Sequence, residues 1–445
     1  MLREPSDLRE ILDYEILQRR LSGYAAEGLD EISARVAQAE LSVDECSIVF
    51  AELDALGLER NWLYEEPSDL PRIRDLSRGV GKRPTAFTEG QLFDRVYGGW
   101  LGRCIGCTMG KPVENGPHWT VQQIREYLQL SSAYPLRDYF PVLEPMPKRF
   151  VFRDNWIETT RGRVISVSRD DDIDYTILGL HLLETHGFAF SVDDVAGEWL
   201  AHLPFKQTFT AERVVYRHLV NGIAPAEAAS LFNPYREWIG ALIRADVYGY
   251  TSPGDPWRAA ELAYRDARLT HRANGMYGAM WAAALVSLAF VSESAAEAVE
   301  LSLGVLPSTS RLHEAIETML RTHSGGSTWE SAIDAARRAY DSYDWVHTVN
   351  NAAVIAAGLL WGDGDFATTV GLTVQGGWDT DSNGATAGSV AGILAGASRL
   401  PDYLVGPLHD TVRSSVFGFD GSRITDLARR TCALVPDPVA GRRER

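Results

Sequence analysis

Four glycines spaced four residues apart, Gly384, Gly388, Gly392 and Gly396, fall in one stripe along a helix expected over 383–398. A glycine inside a helix costs about 0.5–1 kcal/mol relative to alanine, so four in register need a compensating gain. The obvious one is the close approach of a neighbouring backbone, which makes this a buried central helix. Small-residue packing of a membrane helix is the other way to use such a stripe, but no second span exists to pair with it. No uninterrupted apolar stretch reaches the roughly 18 residues that a span requires.

Around this helix the pattern is almost entirely helical. Apolar periodicity marks helices over 175–186, 192–203, 209–221, 225–231, 256–269, 275–292, 295–303, 309–321, 328–340 and 347–361. Strand patterns are scarce, and only Phe150–Phe152 and Val164–Val167 have weak strand character. The fold class expected is all-α, with residues 112–168 as loop and short strand laid over a helical body. Capping-box spacing at Ser42/Glu45 and at Thr88/Gln91 marks two further helix starts. Pro67, Pro71, Gly79, Gly81 and Pro84 interrupt the periodicity between them. The expected organisation is a helical N-terminal extension and linker over 1–86, the linker near 65–86, followed by one catalytic domain over 87–445.

The net charge of -17 argues against a nucleic-acid backbone or an anionic membrane as partner. A phosphate-bearing small molecule stays open, because a bound dication can reverse the local field. Four cysteines are too few for a disulfide framework in 445 residues, and the acidic N-terminus is unlike a signal peptide. The expectation is a cytoplasmic location.

Two aspartate runs stand at helix starts. Asp170-Asp171-Asp172 precedes an apolar helix. The macrodipole favours acids there by about 0.3–1 kcal/mol each, which explains one or two of them. Three in a row repel and call for a counter-charge, from basic side chains or from a metal. Gly376-Gly377-Trp378-Asp379-Thr380-Asp381-Ser382 leads into the glycine-striped helix. Ser382 or Asp379 could act simply as a helix cap. Two carboxylates at the mouth of a buried helix are nevertheless costly unless paired. With no His or Cys among them, the two clusters suit a hard cation such as Mg²⁺ or Mn²⁺, and two ions could be held between them.

With these runs in view, the chain resembles the ADP-ribosylglycohydrolase family, of the dinitrogenase-reductase-activating glycohydrolase type. Three stretches in the family's order carry the resemblance: Gly98 to Glu114, rich in glycine; Asp170-Asp171-Asp172, in the place of Thr-Asp-Asp; and Gly376 to Ser382, like Gly-Gly-x-Asp-Thr-Asp-Thr. It covers about 87–400. The resemblance implies an all-α fold with two Mg²⁺ ions, Mn²⁺ being possible, in a central cleft. It implies Asp171, Asp172, Asp379 and Asp381 as ligands, with Ser382 in the family threonine's place and Asp170 added beside them. Glu114 would move a proton or gate the site, and Asp172 and Asp381 would take part in catalysis. His271, Asn274, Gly377 and Trp378 would lie on the substrate side. An activated water would cleave a glycosidic bond of a small-molecule or protein-linked ribosyl substrate.

Three departures bear on the substrate. Asp170 replaces a threonine, Cys107 stands where many members have aspartate, and the insertion at 115–168 together with the N-terminal 86 residues could narrow the cleft. Two other readings are therefore carried: hydrolysis of a small nucleoside-like N-glycoside, and a non-catalytic binding or structural role, against which the retained acids argue. Cys104-x-x-Cys107 lacks the second pair that zinc would need and lies inside an expected helix, so both read as buried apolar-like residues. The stretch 233–256 is either a cleft wall or an ordinary connection between helices. Oligomeric state is not legible.

Overall fold

The computed structural model describes residues 5–38, 42–114, 118–153 and 156–436. Its centre is an antiparallel pair of helices, Glu89–Gly110 and Thr380–Ala395. Both carry glycine stripes, and the stripes mesh backbone to backbone. A methyl carbon on Gly98, Gly102 or Gly106 would sit 2.3, 2.0 or 1.9 Å from the carbonyl oxygens of Gly392, Gly388 and Gly384. Those separations lie far inside van der Waals contact, so only glycine permits the seam. This is the compensating gain that the sequence demanded. Gly396 departs from the expected stripe: with φ +80 it caps the helix rather than lining it.

The other helices wrap this pair. Ala273–Ala289 and Thr348–Trp361 are apolar along nearly their whole length and are buried accordingly. β-structure among the described residues amounts to one antiparallel pair, Thr411–Val412 with Ser422–Arg423, plus isolated bridges. The expected strand over Phe150–Phe152 does not form. Phe150 and Phe152 instead stack on Trp119, which hydrogen-bonds the Val151 carbonyl, and this aromatic packing sets the local backbone. Of Val164–Val167, only Val167 pairs, with Val412.

Both capping boxes form, at Ser42 and at Thr88. The N-terminal helices Pro5–Leu21, Ala26–Gln38 and Val43–Ala55 enclose their own apolar cluster, which includes Leu12, Leu29 and Leu53. Residues 65–86 are more ordered than a linker. They contain the helix Leu70–Leu76, and Glu66 clasps buried Arg311 at 2.6 Å. Residues 233–256 are packed inward: Tyr235 and Trp238 meet Tyr14 of the first helix, and the remainder forms short buried helical turns. They take the form of a connection between helices.

Candidate active site

The antiparallel seam brings the end of one central helix to the start of the other. Gly110 closes the first, and its carbonyl accepts the Thr380 hydroxyl at 2.8 Å. The chain runs on from Gly110 through Lys111–Val113 to Glu114, while Asp379 and Asp381 open the second helix. Carboxylate oxygens of Glu114, Asp379 and Asp381 consequently lie within 4.8 Å of one another. The helix Asp171–His186 delivers Asp172 to the same place, where the Ser382 hydroxyl donates to its Oδ2 at 3.3 Å. Asp171 is partly buried beside it, and the other three aspartates of the two runs, with Asp172, are buried.

Asp379 does not behave as a helix cap. It occupies the N-cap position, yet its side chain accepts no capping hydrogen bond. Its backbone N–H donates to Asn351 Oδ1 at 3.2 Å, and the Asn383 amide donates to the same oxygen at 2.7 Å. The carboxylate is thereby left to the pocket. Gly377 (φ +73) and Trp378 (φ +60) supply the left-handed turn before it. That conformation is easy for glycine and strained for tryptophan. The guanidinium of Arg337 covers the Trp378 ring at 4.5 Å.

Crowding shows in the proton affinities. Burial first, and then neighbouring carboxylates, push Asp172 and Asp379 well above the usual carboxylate range. Asp381 is raised in the same way, and Asp171 is pushed up to about 8. Burial and Asp170, Asp172 and Asp381 also push the Cys107 thiol far up, so it stays protonated although it lies beside Asp170 and Asp172. An all-oxygen donor set with more carboxylates than nearby cations, and with Asp379 withheld from capping, fits a hard divalent cation.

Asp170 behaves differently: of the two counter-charges that the run calls for, basic side chains supply the one it meets. It caps its helix by accepting the Asp172 N–H at 3.1 Å, and Lys111 Nζ lies 2.8 Å from its Oδ2. Burial opposes its ionisation, but Lys111, with Arg153 and Arg169, outweighs burial and holds the carboxyl well below its usual range.

Several residues that the motifs did not single out complete the site. Buried Arg103 donates to the Asp172 carbonyl through Nε (2.9 Å) and Nη2 (2.7 Å), and pairs with Asp246 at 2.8 Å. Arg153, from the insertion, pairs with Glu114 and lies 3.7 Å from Asp381. Nothing local in the sequence marks Arg153 or Asn351.

His271 and Asn274 lie apart from the carboxylates in the contacts they make. His271 is fully buried, takes a 2.6 Å hydrogen bond with Thr270, and sits 4.0 Å from Glu212 in a network centred on Arg244. Burial and Arg244 keep its ring neutral. Asn274 has both ends of its amide committed, donating to Glu237 (3.0 Å) and accepting from the Leu312 N–H (3.1 Å).

Fold and site together describe an all-helical protein that uses its most tightly packed seam to hold carboxylates at one point. The sequence profile described as ADP-ribosylglycohydrolase matches residues 88–439, and the chain belongs to that family. It is thus a glycoside hydrolase of the ADP-ribosylglycohydrolase type. A solved structure described as an "ADP-ribosylglycohydrolase-related protein complex" is similar at 19% identity, covering 78% of this chain and 98% of that one, with a TM-score of 0.43. No curated protein matches the chain. Among the described residues, no helix is long and apolar enough to cross a membrane.

Proposed function

We propose that the chain is a Mg²⁺-dependent glycohydrolase, with Mn²⁺ able to substitute, that cleaves the anomeric bond of an ADP-ribosyl or related ribosyl conjugate. The observation that carries this is Asp379: a carboxylate at a helix start that declines to cap the helix and faces Glu114 and Asp381 within 4.8 Å. Asp171, Asp172, Asp379 and Asp381, with the Ser382 hydroxyl, are the residues that would hold two cations. Such ions supply Lewis acidity, a water acidified enough to attack near neutral pH, and an anchor for vicinal hydroxyls.

The chain's own groups do the rest. Glu114 stands where it can take the proton released by the attacking water. Asp172 and Asp381 are held by Arg103 through the Asp172 carbonyl and by the Ser382 N–H, so their carboxylates keep one orientation. Gly377 and Trp378 frame the approach, whereas the hydrogen bonds of His271 and Asn274 go to Thr270, Glu237 and Leu312 and give them no direct part in the chemistry. Arg153, beside Glu114 and Asp381, favours a second reading, since an arginine that narrows the approach suits a small nucleoside-like N-glycoside.

Titration calorimetry with Mg²⁺ and Mn²⁺ tests the cation requirement, and Asp379→Ala should abolish the binding. Incubation with ADP-ribosyl-arginine, ADP-ribosyl-serine and a nucleoside panel then ranks the substrates. Ribose release from nucleosides alone would replace the first reading with the second. A protein that binds neither cation would sink both.

A further inference from the structure

The helix Asp171–His186 carries the catalytic aspartates at its start and a second set of metal-ligating side chains at its end. His181, on this helix, meets Glu198 and His202 of the neighbouring helix Val192–His202. One ligand atom from each lies within 4.8 Å of the others. His181 Nε2 is 3.5 Å from Glu198 Oε2, and His202 Nδ1 is 3.0 Å from the same oxygen. At about 13 Å along the helix axis from Asp172, this cluster is separate from the carboxylate pocket.

We propose that His181, Glu198 and His202 form a binding site for a late first-row divalent cation, Zn²⁺ above all, that staples the two helices together. Three observations support it. Tetrahedral zinc with bonds of about 2.0–2.2 Å places its ligand atoms about 3.4 Å apart, a value between the two measured separations of 3.0 and 3.5 Å. The donor set is two imidazoles and a carboxylate, which suits zinc, nickel or copper and is a poor match for Mg²⁺. Glu198 and His202 are spaced i,i+4 and share a helix face.

A further observation is about what these atoms lack. The Glu198 side chain is only 8% exposed, and neither its Oε2 nor His202 Nδ1 has a hydrogen-bond partner. The two atoms are close enough to bond yet misaligned for it. That is the relation of two ligands converging on one ion, and it leaves a buried carboxylate oxygen unsatisfied otherwise. The other carboxylate oxygen, Oε1, lies 3.1 Å from His186 Nε2, whose Nδ1 faces Asp194 at 3.3 Å. A Glu–His–Asp chain of this kind orients a ligating carboxylate. Arg430, whose charge reaches His181, is paired with Glu184 at 2.6 Å.

The site ties down the segment that closes over it. The Phe417 N–H donates to the His202 carbonyl at 2.9 Å, and the Phe419 ring lies against His181. An ion here would fix both the far end of the aspartate-bearing helix and this segment.

The test uses the full chain, free of any affinity tag and stripped with a chelator, titrated first with Co²⁺ and then with Zn²⁺. The expectation is one Co²⁺ per chain with the intense visible absorption of a tetrahedral nitrogen-ligated site, displaced by Zn²⁺. The carboxylate pocket would give only the weak absorption of an oxygen-ligated ion, so Asp379→Ala should leave the intense band in place. Glu198→Gln and His202→Ala should each lower the affinity by more than ~100-fold, beyond the ~10–100-fold typical of losing a supporting partner. Zn²⁺ should also raise the thermal midpoint of the wild type and not of these variants. Absence of the intense band in the wild type would overturn the proposal whether or not the variants fold. So would its persistence in both variants.

Discussion

Among the helices that start with an aspartate at the N-cap position, two meet at the carboxylate pocket, and their aspartates do opposite things. Asp170 caps its helix and is paired with Lys111, so its charge is complete within the protein. Asp379 makes no cap bond, is packed among Asp381, Asp171 and Glu114, and is pushed toward protonation. Residue type and helix position are the same; what differs is whether a cation of the chain reaches the carboxylate. A carboxylate satisfied from within is scaffold, and one left wanting is where an external ion is needed.

Removing the internal cation should break this contrast most severely. Lys111→Ala leaves Asp170 buried and unpaired, and denaturant unfolding should show a loss of about 3–5 kcal/mol. Pairing Lys111→Met with Asp170→Asn should restore most of it. If Lys111→Ala alone costs nothing, Asp170 is not compensated in the way described.

Ligand loss comes next. Asp379→Ala should weaken Mg²⁺ binding by more than about 100-fold and remove activity to the same degree, more than a supporting partner contributes. Asp170→Asn, which keeps the cap, should change binding by less than about tenfold. Equal effects from the two would erase the distinction.

Acidity offers a finer probe. Carboxyls held above their usual range carry protons near neutral pH, Asp171 up to about 8, and a cation must displace them. Apparent affinity should therefore fall as pH drops below about 8, by up to about tenfold per pH unit for each proton displaced. Calorimetry in two buffers of different ionisation heat would count the released protons, and a count of zero would contradict the crowding. The smallest effect expected is that of Ser382→Ala. It removes one hydroxyl hydrogen bond to Asp172 and should cost about 1 kcal/mol, roughly fivefold in cation affinity.

Much of the scaffold was legible because its causes are local. The four-residue glycine period in 384–392 and the capping boxes at Ser42 and Thr88 depend only on near neighbours, and all three formed. The aspartate runs were visible for the same reason. Compensation was not, since it depends on contacts across the fold. Lys111 reaches Asp170 only because the seam puts the end of one helix beside another, and Arg153 arrives from an insertion whose path is set by Trp119 packing on Phe150 and Phe152. Gly396 was misread as part of the stripe because its spacing fits, while its positive φ belongs to a helix end.

The glycine seam also has a consequence for synthesis. Its two halves, around Gly98–Gly110 and Gly384–Gly392, meet at backbone distance but leave the ribosome far apart in time. Until the second half emerges, the first helix exposes a bare glycine groove with no partner to fill it. Contacts of such long sequence separation form slowly and late, and the carboxylate pocket at the seam's end cannot be assembled before they do. Hydrolytic competence is thus withheld until the second half of the seam has emerged.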